Sequence, residues 1–400
     1  MKKLLTVGMA LAVNAAFPAQ AAVFDTGDLT VSGFGTMGMA KTNTDQVRFV
    51  RYNQAEGVSD EARIGLDTNL GLQASYKAND WLSGTVQILT RKGPLPGFTT
   101  DLTWAFLKAK VNDEVSVRVG RIVLPTFFTS DYQNVGYANT MMRPPIEVYS
   151  QSPIESTDGV DLTYQHAIGE LNLTLQPFVG VARGRLSVGG TTATFRAPGY
   201  GFAFLADYAP FQFRFSDTTA KLTSNDIAFL NNLSNGARAA GFLDTASDLH
   251  FSDKKLNTSS FAVAMDWRNI VLQTEYTRRR TKDFMHIPNV DAWYAMAGYR
   301  FGTVMPYYSH NTFKTKGTPI RVPANFPTTG PLGAAVGGLI APNGQNSDLI
   351  GVRWDFAKSV DLKVQIDRVK PKYKSGALLG PAAGYTRPVT VVGATLDFVF

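Results

Sequence analysis

Hydrophobic and polar residues alternate one by one along most of this chain. The clearest run places Ile64, Leu66, Thr68, Leu70, Leu72, Ala74 and Tyr76 on one parity, and Arg63, Gly65, Asp67, Asn69, Gly71, Gln73, Ser75 and Lys77 on the other. A period of two is the signature of a β-strand with one apolar and one polar face. Soluble strands usually span about 5–6 residues, whereas a tilted membrane strand needs about 9–11. The run is long enough for the second kind. Sixteen such strands are predicted, with cores at 28–39, 62–77, 81–91, 102–111, 114–122, 159–167, 171–181, 198–208, 211–217, 259–267, 270–280, 291–301, 304–312, 348–357, 360–369 and 388–400.

Their connections alternate in length. Short ones such as Asn112-Asp113, Gly169-Glu170, Arg268-Asn269 and Lys358-Ser359 are interleaved with long ones, near 40–61, 123–158, 218–258 and 313–347 among others. Strands joined in this way run up and down, with every long loop on one side. That asymmetry predicts an all-β fold: an antiparallel transmembrane β-barrel with short turns at one rim and long loops at the other. Tyr76, Trp81, Tyr164, Tyr208, Phe211, Trp267, Tyr299, Phe301, Trp354 and Phe356 lie near the ends of apolar faces, most of them beside the short turns. Amphipathic rings prefer the headgroup level, so these are expected to form an interfacial girdle. Within the loop at 218–258, Asp226–Leu233 reads as a short helix capped by Ser224 or Asn225.

Composition narrows the class. The 400 residues are 44% hydrophobic but only 18% charged, with 36 Gly and no Cys. Without Cys there is no disulfide, thiolate metal site or Cys nucleophile. Lys2-Lys3, an apolar stretch over Leu4–Phe17, Pro18 and Ala19-Gln20-Ala21 form a secretory leader pattern, with cleavage expected after Ala21. The expected organisation is therefore a leader at 1–21 and one barrel domain at 22–400. Beyond it no 18-residue apolar stretch suggests a membrane helix. The net charge of +7 is mild for this size, and Arg278-Arg279-Arg280 is the longest basic run, so no nucleic-acid partner is expected.

The C-terminal strand places Val392, Ala394, Leu396, Phe398 and Phe400 on one parity. It resembles the outer-membrane targeting signal of Gram-negative β-barrels, which the barrel-assembly machinery reads at Phe398 and Phe400. Taken with the leader and the loop alternation, the chain resembles the sixteen-stranded trimeric porins. The resemblance implies a homotrimer in outer-membrane lipid, exported by a cleaved leader, and passive diffusion of small hydrophilic solutes through a water-filled channel. A substrate-selective, anion-preferring channel is the alternative. In those porins the third long loop folds into the barrel, and Gly120-Arg121-Ile122-Val123-Leu124-Pro125 looks like the entry to it. The acidic Pro-Glu-Phe-Gly-Gly segment of enterobacterial general porins is not present in it.

Parity supplies candidate pore residues. If apolar faces meet lipid, Arg63, Lys77, Arg118, Arg214, Arg279, Arg300, Arg353 and Lys363 face the lumen, as do Asp67, Asp207, Asp266, Glu275, Asp355 and Asp367. Arg or Lys on the lipid side near the midplane would cost about 2–4 kcal/mol. The expected constriction sets Arg118 and Arg121 against Asp131, Glu147 and Glu155 of the third loop, with Arg63, Asp67, Arg214 and Arg279 lining the pore. Arg300, Arg353 and Lys363 are expected in the vestibule near the short turns. Enzymatic chemistry is not expected. His166, His250, His286 and His310 lack metal-ligand spacing, no Gly-x-Ser-x-Gly elbow occurs, and neither a metal nor a cofactor is implied.

Overall fold

The computed structural model describes residues 22–188, 191–372, 379–380 and 385–400. The expected leader at 1–21 lies outside the described residues. Sixteen antiparallel strands close into a barrel. They are β1 (Leu29–Thr42), β2 (Asn69–Lys77), β3 (Leu82–Lys92), β4 (Phe98–Lys110), β5 (Val115–Val123), β6 (Ser156–Ile168), β7 (Leu171–Val188) and β8 (Thr191–Tyr208), then β9 (Phe211–Leu222), β10 (Lys254–Trp267), β11 (Ile270–Thr281), β12 (Val290–Tyr299), β13 (Val304–Thr315), β14 (Gly344–Ala357), β15 (Val360–Lys372) and β16 (Val389–Val399). Each strand pairs with its sequence neighbour. Closure comes from β1, which pairs with β2 from Leu29↔Tyr76 to Thr36↔Asn69 and with β16 from Phe34↔Val399 to Thr42↔Val391. No backbone edge is then left facing lipid, where unpaired N–H and C=O groups would be costly.

The outer face carries the belt that the alternation predicted. Met37, Leu72, Val86, Leu107, Val119, Val179, Phe213, Ile350 and Val364 are all exposed. So are all ten girdle aromatics. Apolar surface on this scale needs lipid rather than water around it.

Two elements differ from the sequence reading. The strand expected over 62–77 breaks at Gly65, whose φ of +115° suits glycine. Arg63–Ile64 pairs with Met39–Ala40, and β2 proper starts at Asn69. The break turns Leu66 inward, to 3% exposure, although alternation placed it on the lipid side. The long connection expected between the strand cores at 171–181 and 198–208 is instead a hairpin in which β7 and β8 pair on from Ala182↔Ala197 to Val188↔Thr191. Its Leu186, Ala193 and Phe195 are buried against Ile227, Leu230 and Phe251, so packing above the membrane extends the strands.

The long loops carry four helices. α1 (Ile146–Tyr149) lies in the third loop, α2 (Ala228–Ala239) and α3 (Leu243–Leu249) follow β9, and α4 (Gly330–Ile340) follows β13. The predicted helix is present as α2, but no side chain caps it. Asp226 instead accepts from the Thr194 N–H and hydroxyl. Leu233, Ala237, Ala246, Leu249, Phe326 and Val336 bring the three longer helices into one cap, which Arg321 clamps through Asp248 (2.6 Å) and Asp244 (3.0 Å).

Below this cap His286 packs on Phe251 at 5.2 Å, and its Nδ1 has no hydrogen-bond partner. Burial lowers its pKa from 6.5 to about 4. The folded cap therefore refuses a proton that the opened cap accepts. Cap stability is complete above about pH 6.5 and falls as pH drops towards 4, by about 1–2 kcal/mol for a ring still partly in contact with water. Hydrogen exchange over 243–251 should quicken between pH 7 and pH 5 relative to His286→Gln. Equal pH dependence in the two proteins would refute this.

Candidate functional site

The site is built around the third long loop, L3 (124–155). At Gly120 (φ +131°) a Cβ would lie 2.3 Å from the Ala105 carbonyl oxygen, so β4 and β5 pack backbone on backbone there. Beyond Val123 the chain turns inward, and nearly all of 122–150 is buried or half-buried.

Buried loop backbone needs hydrogen-bond partners. The wall provides them. On β9, Arg214 donates to the carbonyls of Pro125 and Phe128 and pairs with Asp131 at 3.2 Å, while Ser216 donates to Thr126 O. On β11, Glu275 accepts from the Phe128 N–H and from the Tyr149 and Ser260 hydroxyls. L3 then reaches the opposite wall, where Tyr132 and Val135 pack on Phe34, Leu89 and Val399. A 3₁₀ turn at Gly136–Ala138 follows. A Cβ on Gly136 would lie 1.9 Å from Asp397 Oδ1, so only glycine fits beneath that carboxylate.

Under this turn Lys363 donates to Gly136 O (2.7 Å) and Asp397 (2.8 Å), and Arg353 donates to Tyr137 O (2.8 Å) and Asn139 O (3.0 Å). Arg143 of L3 then reaches Asp67 through two hydrogen bonds of 2.9 and 2.7 Å, and Asp367 at 2.7 Å. In α1, Glu147 accepts from Gln345 (2.8 Å) and Ser347 (2.6 Å), and its other oxygen has no partner. Burial holds this carboxyl above its ordinary range. Tyr149 and Phe127 sit in an apolar cluster with Val290, Tyr294, Met296, Met305 and Leu349. Arg279 donates to Gln151 O and Pro288 O. At the end of L3, Glu155 takes two hydrogen bonds of 2.9 Å from Arg91, one from Asn134 and one from Tyr52. Burial works to raise the Glu155 carboxyl, but the Arg91 charge and these donors overcome it and hold it low.

The charge pattern thus differs from arginines on the wall facing acids on the loop. That arrangement holds for Arg214–Asp131 and Arg91–Glu155. Elsewhere wall cations aim at loop carbonyls, and the loop cation Arg143 aims at wall acids. Arg118 is buried on the inner wall, bound to Asp161 and stacked on the Phe106 ring at 5.2 Å. Arg121 falls on the outward parity with Val119 and pairs with Asp158 at 2.7 Å, which Arg183 also approaches. Arg121 therefore does not stand with Arg118 against Asp131, Glu147 and Glu155, as the expected constriction had it. Arg63 stands exposed beside Glu61. Arg300 binds Asp266 beside a short turn. Lys363 is fully buried, and Arg353 is almost so, because both hold L3 rather than lining an open vestibule. Arg91, Arg143 and Tyr52 were missed. Arg91 continues the inward parity of Gln87 and Leu89, a signal alternation could have used.

L3 leaves a cavity of about 560 Å³ against β2–β4, lined by Arg51, Tyr52, Gln54, Arg91, Lys92, Asp101, Gln133, Asn134 and Glu155, with Arg121, Arg183 and Arg185 at the side where β5 and β6 stop short of β4 and β7. Among the described residues no three His, Cys, Asp or Glu side chains are grouped to hold a metal. His166 and His310 each bind a carboxylate, Glu114 and Asp348.

The fold and site define a transmembrane barrel narrowed by an inward loop, and this is the fold of sixteen-stranded outer-membrane porins. The chain is similar to the outer membrane channel DcaP of Acinetobacter baumannii, with 11% identity, TM-score 0.55, and 95% of this chain and 100% of that one covered. It is similar to an anion-selective porin from Comamonas acidovorans, with 13% identity, TM-score 0.54, and 93% and 100% covered. It is also similar to OmpT, an outer membrane protein of Vibrio cholerae in trimer form, with 11% identity, TM-score 0.53, and 94% and 100% covered. No protein-family model and no curated protein matches the sequence.

Proposed function

We propose that this chain forms an outer-membrane channel for passive diffusion of small hydrophilic solutes and ions, assembled as a homotrimer, with L3 setting its narrowest section. The observation that carries the reading is the polar cavity left between L3 and the β2–β4 wall. A sixteen-strand barrel is too wide for wall side chains alone to fill, so an inserted loop regulates the free cross-section. The leader at 1–21 and the terminal aromatic pair Phe398 and Phe400 fit export and delivery to the barrel-assembly machinery. The trimer rests on likeness to a protein described in trimer form.

The cavity lining favours a weak preference for anions. Arg51, Arg91, Lys92, Arg121, Arg183 and Arg185 outnumber Asp101, Asp131 and Glu155. Planar-bilayer recording across a salt gradient tests both points. Stepwise conductance, linear in salt, with a reversal potential of anionic sign is expected. No conductance from folded protein would overturn the channel. A cationic reversal potential would overturn the preference alone. Saturation and block by one class of anion would favour a substrate-selective channel.

A further inference from the structure

We propose that the cavity between L3 and β2–β4 is a station for short zwitterionic peptides, with the peptide carboxylate on Arg51 and the peptide ammonium on Asp101. This rests on the channel reading and adds a class of solute to it.

Most charges around the cavity are already engaged. Lys92 is bound to Glu56 at 2.6 Å, Arg91 to Glu155 at 2.9 Å, Arg121 to Asp158 at 2.7 Å and Asp131 to Arg214 at 3.2 Å. Arg183 shares Asp158 at 3.5 Å. Two inward groups remain, one of each sign. Arg51 has Asp67 at 3.6 Å and the Tyr52 ring at 5.8 Å. Its side chain is only 11% exposed, yet its guanidinium makes no hydrogen bond among the described residues. Asp101 has neither an ion pair nor a hydrogen bond among the described residues. Arg185 also lacks an acid there, but it stands at the side of the cavity, on the outward parity of Val179.

Both free groups are held in place by what surrounds them. Arg51 belongs to the loop between β1 and β2, which Val47, Phe49 and Val58 anchor in a buried cluster. Phe49 and Val58 exchange backbone hydrogen bonds of 2.9 Å, and Gln54 donates to the carbonyls of Leu66 and Lys92. On β4, Asp101 faces Leu89 while Thr99 faces Arg91. Asp101 and Arg91 are therefore diagonal neighbours on the inner wall, about 7–8 Å apart. Arg91 in turn holds Glu155, which accepts from the Tyr52 hydroxyl at 3.1 Å.

Tyr52, Glu155 and Arg91 thus stand between Arg51 and Asp101. A solute that reaches both must carry its two charges several bonds apart. A peptide of about three residues, extended at about 3.3–3.6 Å each, does so, and a single α-amino acid does not. A solute with one charge gains at one of the two groups and loses at the other. A zwitterion gains at both and carries no net charge, so it is drawn in with one orientation. The contacts face water, which keeps them weak enough to release it.

The test is release from proteoliposomes of the full protein loaded with equal amounts of trialanine, N-acetyl-trialanine and trialanine amide, followed by mass spectrometry. The parent should release trialanine about fivefold faster than either capped peptide. Asp101→Asn should lose the advantage over N-acetyl-trialanine and keep that over the amide. Arg51→Gln should do the reverse, and it strands no charge, because Asp67 keeps Arg143. Equal release of the three peptides by a parent that conducts in KCl would overturn the proposal and leave the channel reading standing. A folded parent without conductance would overturn the channel and the station with it. Loss of both advantages in either variant would also overturn the proposal, because it would trace the preference to pore width rather than to the two charges.

Discussion

Arg143→Met should free L3 and enlarge the channel. Arg143 lies at 4% side-chain exposure between Asp67 and Asp367. Removing the guanidinium leaves both carboxylates buried beside an apolar side chain, with only Arg51 near Asp67, at 3.6 Å. Breaking a buried ion pair from one side costs about 3–5 kcal/mol, most of it from the stranded charge. Other wall contacts at Gly136, Glu147 and Glu155 remain, so the barrel should still close while the middle of L3 moves. Single-channel conductance should rise, open-state noise should increase, and the thermal midpoint should fall by several degrees. The triple variant Arg143→Met/Asp67→Asn/Asp367→Asn should recover most of the stability, because no charge is stranded, while conductance stays high. Unchanged conductance in both proteins would show that Arg143 does not hold the loop at the narrow section.

Gly33→Val should reduce the amount of folded barrel in the outer membrane by about tenfold or more, through the closing seam that an edge-free barrel requires. Gly33 exchanges backbone hydrogen bonds of 2.7 and 2.9 Å with Phe400. A Cβ there would lie 2.5 Å from the Phe400 ring and 2.9 Å from the Gly71 carbonyl oxygen. The ring could swing away, but the carbonyl belongs to β2 and cannot. Gly35 sits in the same way under Phe398, and the two rings stack at 6.0 Å along the seam. Deleting Phe400 should act in the same direction, and Phe400→Trp should be tolerated. Heat-modifiable mobility of the outer-membrane fraction is the readout. Normal yield from both Gly33→Val and the deletion would mean that the seam tolerates losing its last pair.

Most of the strands, their up-and-down order and most of the lipid-facing surface are legible in the chain's alternation. These follow from a period of two and from turn length, both local properties. All ten girdle aromatics were legible in this way, whereas the entry to L3 at Gly120–Pro125 was marked only by its resemblance to porins. Parity also assigned Arg118, Arg214 and Arg279 to the inner face correctly, since each strand's alternation is fixed by its own residues.

What those side chains do depends on partners that are distant in the chain. Arg143 meets Asp67 and Asp367, at separations of 76 and 224 residues, and Lys363 meets Gly136 at 227. No local pattern encodes such pairings. They arise because a loop folded into a barrel must find donors for its buried carbonyls, and the nearest lumen cations supply them. Local rules also failed where the backbone leaves the strand conformation. Gly65 turned Leu66 inward, whereas Arg121 keeps the outward side that alternation from Val119 gives it. Alternation states which side a residue faces while the strand lasts. The path of L3 across the lumen decided whether a charge facing inward is open to solutes or spent on holding the loop.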